Sequence, residues 1–397
     1  MLEVLEKDKC CGCSACFSAC GHQAITMQLD SEGFEYPIIN QEACIDCGLC
    51  QSVCPILQYE NRKNIREKNN DAQIGFVARN KNYGQRLISS SGSIFPPIAE
   101  WILDNDGLVV GAAYDNDFNV VHKFIESKDE LCALQGSKYL QCKADNETFK
   151  YIRKELKNGR KVLYSGMACQ VEGLKSFLKK DYDSLYTIDL ICMGIPSYAV
   201  WQKYLTTFFG NEQIKSINFK EKSIGWDTFT FRVDTDKRIF KELGMHNLYL
   251  RSMFLSWNMR PSCFQCPFKK AKRISDFTLA DAWGIFRKTP EINDNKGLSS
   301  VIVHSKKGLD LWNELKNKLD CVKESIDDIA VGNSNLISNK PQTGNRQLFY
   351  KTLNTNPKEA FEELCSIKKI SFKEQVKNKL RYYIFRIAAK IKKTSNQ

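Results

Sequence analysis

Eight cysteines fall in two runs of identical spacing, Cys10-x2-Cys13-x2-Cys16-x3-Cys20 and Cys44-x2-Cys47-x2-Cys50-x3-Cys54, the second followed by Pro55. Three thiols on one tight loop reach three corners of a cubic inorganic cluster, and the fourth cysteine, at the start of a short helix, points back to the other run's cluster. The spacing therefore predicts two [4Fe–4S] clusters. One set is Cys10, Cys13, Cys16 and Cys54; the other is Cys44, Cys47, Cys50 and Cys20. A pair of zinc knots is the competing reading, but zinc sites normally draw their ligands as two separated pairs rather than one short run. Cys11 is an extra thiol beside the first ligand and is not expected to be one itself.

Between the runs, residues 24–29 alternate as a strand does, Asp30-Ser31-Glu32-Gly33 supplies a turn, and residues 34–38 return. A hairpin of this kind covers the clusters of a bacterial-type two-cluster ferredoxin, which residues 1–57 resemble. Gly21 after Cys20 departs from that pattern, where proline is usual; Pro55 keeps it. The chain has 17 cysteines, an odd number, and their tight repeats favour ligation over disulfides. The N-terminal residues mix charges and lack an apolar core, and no apolar stretch is long enough to span a bilayer, so a cytoplasmic protein is expected.

A polar stretch over 58–73 reads as a linker. From 74 to 365, apolar strand candidates (108–113, 161–165, 186–192, 277–282, 300–304) alternate with amphipathic helix candidates (94–103, 147–157, 169–179, 200–209). This alternation predicts an α+β ferredoxin-like module followed by a larger α/β domain with a mostly parallel or mixed sheet. Residues 366–397 form a basic tail with apolar residues at helical spacing. Its ten Lys/Arg against one Glu carry +9 of the net +12, leaving the body near neutral. That distribution argues against a nucleic-acid partner. The tail suits a peripheral contact at the inner face of a membrane, or equally a helix docked on the protein's own core.

Four more cysteines stand in suggestive places: Cys169 and Cys192, each just past the end of a strand candidate, and the pair Cys263-x2-Cys266. Ligands of open α/β sheets bind at that edge, although small buried cysteines are also ordinary core residues. The stretch from about Gly75 to Lys307 resembles the beta-subunit family of coenzyme F-420 hydrogenases and dehydrogenases. The likeness is carried by Ser90-Ser91-Gly92, Gly136-Ser137-Lys138-Tyr139 and Ser165-Gly166-x2-Cys169-Gln170. It continues in Asp189-Leu190-Ile191-Cys192-x-Gly194-x-Pro196-Ser197, Gly225-Trp226 and Arg260-x-Ser262-Cys263-x2-Cys266. Ser275-Asp276-x-Thr278-Leu279-x-Asp281-x-Trp283-Gly284 completes it.

The resemblance implies FAD and a third [4Fe–4S] cluster held by Cys169, Cys192, Cys263 and Cys266. It places flavin contacts on Ser91, Gly92, Ser93, Gly136, Ser137, Lys138, Tyr139, Asp281 and Trp283. The Gly92 loop would offer backbone N–H groups to phosphate, and Lys138 a charge to pyrophosphate or the flavin ring; Asp281 and Trp283 are either a packed strand end or the isoalloxazine wall. Met193 stands where many relatives have His, and Cys142 where they usually have Ser. Pro96-Pro97 follow the Ser91-Gly92-Ser93 loop and are tolerated in a first helical turn. Cys132, Cys142, Cys321 and Cys365 read as structural thiols.

The expected activity is that of an iron–sulfur flavoprotein oxidoreductase. A one-electron donor such as a ferredoxin, or a reduced deazaflavin, would feed it, and an organic substrate would react at the flavin. Some relatives resemble proteins found with surface-polysaccharide pathways. An electron-transfer subunit serving a separate catalytic partner, and a redox-inactive relative with structural clusters, are the alternatives. No catalytic acid or base is legible among the four histidines.

Overall fold

The computed structural model describes residues 5–62, 73–285 and 289–367. The basic helix expected beyond 366, and most of the 58–73 linker, lie outside the described residues. Within the N-terminal module, β1 (Ile25–Leu29) and β2 (Glu35–Ile39) pair antiparallel with Met27 opposite Pro37. Asp30 closes the turn between them by accepting from the N–H groups of Glu32 and Phe34, both at 3.0 Å. Two short helices, Ala15–Ala19 and Leu49–Ser52, hold the third cysteine of each run, Cys16 and Cys50; the fourth does not start a helix as expected, since Cys20 caps the C-terminal end of the first and Cys54 lies just past the second.

The larger domain holds β3 (Ile74–Asn80), β4 (Leu108–Tyr114), β5 (Val120–Ile125), β6 (Val162–Met167) and β7 (Leu185–Leu190). Then come β8 (Ile214–Glu221), β9 (Thr230–Thr235), β10 (Ile239–Leu243), β11 (Phe277–Asp281), β12 (Ser299–Val303) and β13 (Leu319–Glu324). Eight of these form one sheet in the order β13-β3-β12-β11-β7-β6-β4-β5. It is mixed. The centre, β11-β7-β6-β4, is parallel, and every pairing outside it is antiparallel. Residues 115–119 join β4 to β5 directly, with Asp115 accepting from the N–H groups of Asp117 and Asn119.

Helices cover both faces. Phe95–Leu103 and Lys306–Glu314 bury Ile98, Ile102, Leu311 and Trp312 on one face, against Phe76, Val109, Leu163, Ile188 and Val301. Thr148–Lys157 and Ala168–Leu178 cover Leu108, Val110, Val162 and Tyr164 on the other. The alternation of Val109 with Leu108 and Val110 is the period of two that a strand buried on both sides requires. Pro96 and Pro97 do sit in the first turn of their helix, where missing N–H donors cost nothing.

The sequence reading had not found the second, three-stranded sheet β10-β9-β8. It packs with the helices Tyr198–Phe209 and Leu248–Phe254 around Trp201, Tyr204, Phe219, Phe231 and Tyr249. The N-terminal module is docked rather than tethered: Ala15 and Val53 belong to the same apolar cluster as Val171 and Leu174 of the helix Ala168–Leu178.

Candidate functional site

The two cysteine loops share one backbone conformation. Gly12 and Ser14 have φ of +66° each, and Asp46 and Gly48, at the matching positions of the second loop, +58° and +69°. Left-handed backbone at a non-glycine residue costs roughly 1 kcal/mol, so its repetition at Ser14 and Asp46 marks a shape imposed by what the loops enclose. Within the module, Cys16 is influenced by Cys10, Cys54 and Cys50, and Cys50 by Cys47 and Cys20. Cys20 Sγ accepts from the N–H of Ala24 at 3.3 Å. Cys47 is exposed, whereas Cys10 is buried against the larger domain.

In the larger domain, β6 and β7 run parallel with Met167 opposite Leu190, so Cys169 and Cys192 leave the sheet at the same edge. Cys263, at the turn Pro261–Gln265, and Cys266 join them. Cys169 interacts with Cys266 and Cys192, Cys192 with Cys263, and Cys263 with Cys266. Burial pushes the Cys263 and Cys266 thiols up to about 11 and Cys192 to about 12. Nearby charges work against that rise: Lys269 and Arg273 act on Cys192, Arg260 and Lys269 on Cys263, and Lys269 on Cys266. Arg260, Lys269 and Arg273 are all buried, and Arg273 also pairs with the buried Asp189 at 3.0 Å. Buried cations beside four half-buried thiols fit a group of net negative charge, such as a tetrathiolate cluster. Lys269 and Arg273 stand outside the cysteine motifs and went unnoticed in the sequence; their signal is the basic run that follows Cys266. Among the described residues no three His, Cys, Asp or Glu close around a single ion position.

Cys11 joins the two cysteine regions. Its side chain hydrogen-bonds those of Cys13 and Cys169, which hold its thiol low and raise theirs. The contact is close enough that a Cβ on Gly173, in the helix Ala168–Leu178, would lie 2.9 Å from Cys13 Sγ. Arg260 pins the same junction. Its Nε donates to the Cys10 carbonyl at 2.8 Å and one Nη to the Glu35 carbonyl at 2.9 Å, while the guanidinium lies 4.2 Å from the Tyr36 ring centre. Arg346 holds the hairpin through a bidentate pair with Glu32, and Ser197 Oγ donates to the Glu32 carbonyl.

The loops expected to bind flavin do come together. The Ser137 N–H donates to Ser90 Oγ at 2.5 Å, and Gln135 Nε2 to Ser89 Oγ at 2.9 Å. Individual groups differ from expectation. The Gly92 N–H donates to Ser299 Oγ at 2.9 Å, so that amide is engaged by its own fold. Ser91 Oγ donates to the Leu298 carbonyl, and Ser93 adopts φ of +63° with its Oγ on Ser89. Lys138 turns back to the Gln135 and Gly136 carbonyls, 5.5 Å from the Tyr114 ring centre. Burial lowers it to about 8. Lys222 donates to the carbonyls of Arg86, Ser91 and Lys296, and burial lowers it to about 7. Tyr139 is near Lys220, Asp281 and Cys192. Asp281 pairs with Lys220 at 2.5 Å and accepts from Trp226 Nε1 at 2.9 Å, and Trp283 stacks on Trp226. Asp281 and Trp283 thus form a packed strand end. Lys220 and Lys222, on β8 and just after it, belong to an element absent from the sequence reading.

Comparison with known proteins agrees with this layout. Residues 159–329 match the family model for the C terminus of the coenzyme F420 hydrogenase/dehydrogenase beta subunit, and residues 9–56 match the 4Fe-4S dicluster domain. Residues 159–329 are thus similar to the C terminus of that beta subunit, and the N-terminal module is a two-cluster 4Fe-4S domain. A coenzyme F420-dependent sulfite reductase of Methanocaldococcus jannaschii is 23% identical over 82% of this chain, which spans 48% of that relative's length. The PorD subunit of pyruvate synthase from Thermotoga maritima is 39% identical over 62 residues, covering 16% of this chain and 59% of its own. A chain of the F420-reducing [NiFe] hydrogenase complex from Methanosarcina barkeri aligns with a TM-score of 0.45 at 15% identity, covering 72% of this chain and 90% of that one. No helix among the described residues is long and apolar enough to cross a membrane.

Two outcomes follow. Arg260→Ala leaves the Cys10 and Glu35 carbonyls without their donor at a cost of about 1–3 kcal/mol each. Limited proteolysis should then release the N-terminal module from an otherwise resistant chain; an unchanged digestion pattern contradicts the docking role. The second concerns His304, which lies between Thr278 Oγ1 and Gln73 Nε2, each at 2.8 Å. Burial lowers it to about 3, against an ordinary 6.5. The unfolded chain therefore binds a proton that the folded chain refuses, and stability falls as pH drops from about 6.5 toward 3. Urea unfolding at pH 7 and pH 5 should show a larger loss in the wild type than in His304→Gln; equal losses refute it.

Proposed function

We propose that the chain is a flavin-dependent iron–sulfur oxidoreductase, with Cys169, Cys192, Cys263 and Cys266 holding a third [4Fe–4S] cluster and the 89–93 and 135–139 loops holding FAD. The observation that carries this reading is the set of buried cations around the four thiols, set against the cysteine loops of the docked module. Three sets of thiols then run from the exposed Cys47 side of the module, through the set containing Cys10, to the sheet edge. Bound FAD accepts electrons singly and delivers them as a hydride equivalent to an organic substrate.

The chain's own residues supply distance, shielding and charge. Arg260 and the helix Ala168–Leu178 hold the module against the quartet. Lys138 and Lys222 are buried ammonium groups whose bonds go to backbone carbonyls of the two loops and their neighbours. That arrangement suits an anionic pyrophosphate, whose charge would counter the effect of their burial. Trp226, Trp283 and Tyr139 shield the Lys220–Asp281 pair from water.

The module exposes Ile45, Leu49 and Leu57 along the second cysteine run. Apolar surface around a one-electron site suits brief docking of a small redox donor such as a ferredoxin. The same face would serve equally if the chain passes electrons to a separate catalytic partner.

Anaerobic titration with dithionite tests the proposal. The purified chain should contain flavin whose visible absorbance bleaches. Cys263→Ala should keep that flavin while slowing its reduction by a reduced ferredoxin at least about ten-fold. Absence of flavin, or unaltered reduction in the variant, contradicts the reading.

A further inference from the structure

One thiol outside the cysteine sets lies in a built polar cluster. Cys142 forms a bridge with Val120 at the start of β5, fixed by the Lys143 N–H donating to the Val120 carbonyl at 2.8 Å. The register brings Cys142 Sγ to 3.5 Å from Nδ1 of His122. The same Nδ1 is 3.8 Å from Asp145 Oδ2, and Nε2 is 3.1 Å from Tyr164 Oη on β6. Asp145 is itself fixed, accepting from the N–H of Glu147 at 2.9 Å and from the N–H and hydroxyl of Thr148 at 2.6 and 2.8 Å. The His122 side chain is 8% exposed and that of Asp145 41%, so the cluster reaches solvent on the Asp145 side.

We propose that Cys142 and His122 share a proton as a pair, making Cys142 a nucleophilic site for soft electrophiles that is separate from the cluster cysteines. A sulfur at this distance shares its proton with the imidazole, and a carboxylate beside the same ring favours the imidazolium partner. The groups facing His122 are Cys142 and Asp145 from the 141–145 segment and Tyr164 from β6. Beyond Tyr164 stand Cys13 and Cys169. Burial alone would lower the imidazole; Cys142 and Asp145 outweigh it and raise His122 to about 10. With both nitrogens protonated, Nε2–H donates to Tyr164 Oη, and Nδ1–H is shared between the sulfur and the carboxylate.

The reaction balances without a co-reactant. Cys142 sulfur attacks a carbon bearing a leaving group, a C–S bond forms, and the leaving group departs with the bonding pair. The proton is already on His122 and stays there. An adduct would fall within a segment that seats the N-terminal module. The Ala144 N–H donates to Glu35 Oε2 at 2.8 Å, and Gln141 Oε1 accepts from Arg260 at 3.4 Å. Electrophile capture at Cys142 would therefore be felt at the junction between the two cysteine regions.

Iodoacetamide labelling of the anaerobic, cluster-containing protein, followed by peptide mass spectrometry across pH, tests this. The exposed Cys132 serves as the internal reference. At pH 6.5, Cys142 should react about ten-fold faster than Cys132, because the His122 imidazole beside its sulfur takes up the thiol proton. His122→Asn should lower the Cys142 rate about ten-fold and leave Cys132 and the iron content unchanged. Should that variant lose iron, Asp145→Asn, which keeps the oxygen that accepts from Glu147 and Thr148, should lower the Cys142 rate about three-fold. The proposal is overturned if Cys142 follows Cys132 across the pH range, stays unlabelled up to pH 9, or reacts unchanged in the iron-replete variant.

Discussion

A buried guanidinium between two groups of thiols is the constraint on which the rest depends. Arg260 is 1% exposed, and its donors go to the Cys10 and Glu35 carbonyls, Gln141 Oε1 and Cys10 Sγ, none of them a carboxylate. Burying a charge without a counter-charge costs several kcal/mol. That cost is offset when the arginine faces anionic centres on both sides. It also fixes the module's orientation, because the planar fork must meet β2 and the first cysteine loop together.

Around that pin the remaining contacts serve closeness. Gly173 gives Cys13 the room that a methyl group would remove. Ala15 and Val53 add apolar area to the same helix, and Cys11 fills the space between Cys13 and Cys169. The parallel centre of the sheet makes this economical, since strands β6, β7 and β11 end at one edge. Cys169, Cys192, Asp281 and Trp283 consequently share a rim although they span more than a hundred residues of chain.

Much of this was legible in the sequence because it depends on local pattern. The duplicated cysteine spacing foretold loops of matching conformation, and the alternating apolar segments located β4, β6, β7, β11 and β12 with their covering helices. The β8–β10 sheet was missed. Its strands have charged residues interspersed (Lys215, Lys220 and Glu221 on β8), and its core is made by aromatics that read equally well as helix or loop. Lys220 and Lys222 were missed with it. At Gly92 a glycine-rich loop before a helix suggests a phosphate cradle, and in the fold its N–H donates to Ser299, some two hundred residues away. Likewise Cys142 read as structural because its partner His122 is brought to it only by the pairing of β4 with β5 and the bridge to Val120. Local chemistry can be read from a chain; the long-range partner that redirects it cannot.

The central claim is that the cation-ringed quartet at the sheet edge carries a cluster of its own beside the two of the docked module. Iron and acid-labile sulfide measured on the full chain purified anaerobically test it most directly. About twelve of each per chain is the expected result. About eight of each, with the N-terminal clusters intact, would leave the quartet as four packed thiols and contradict the account.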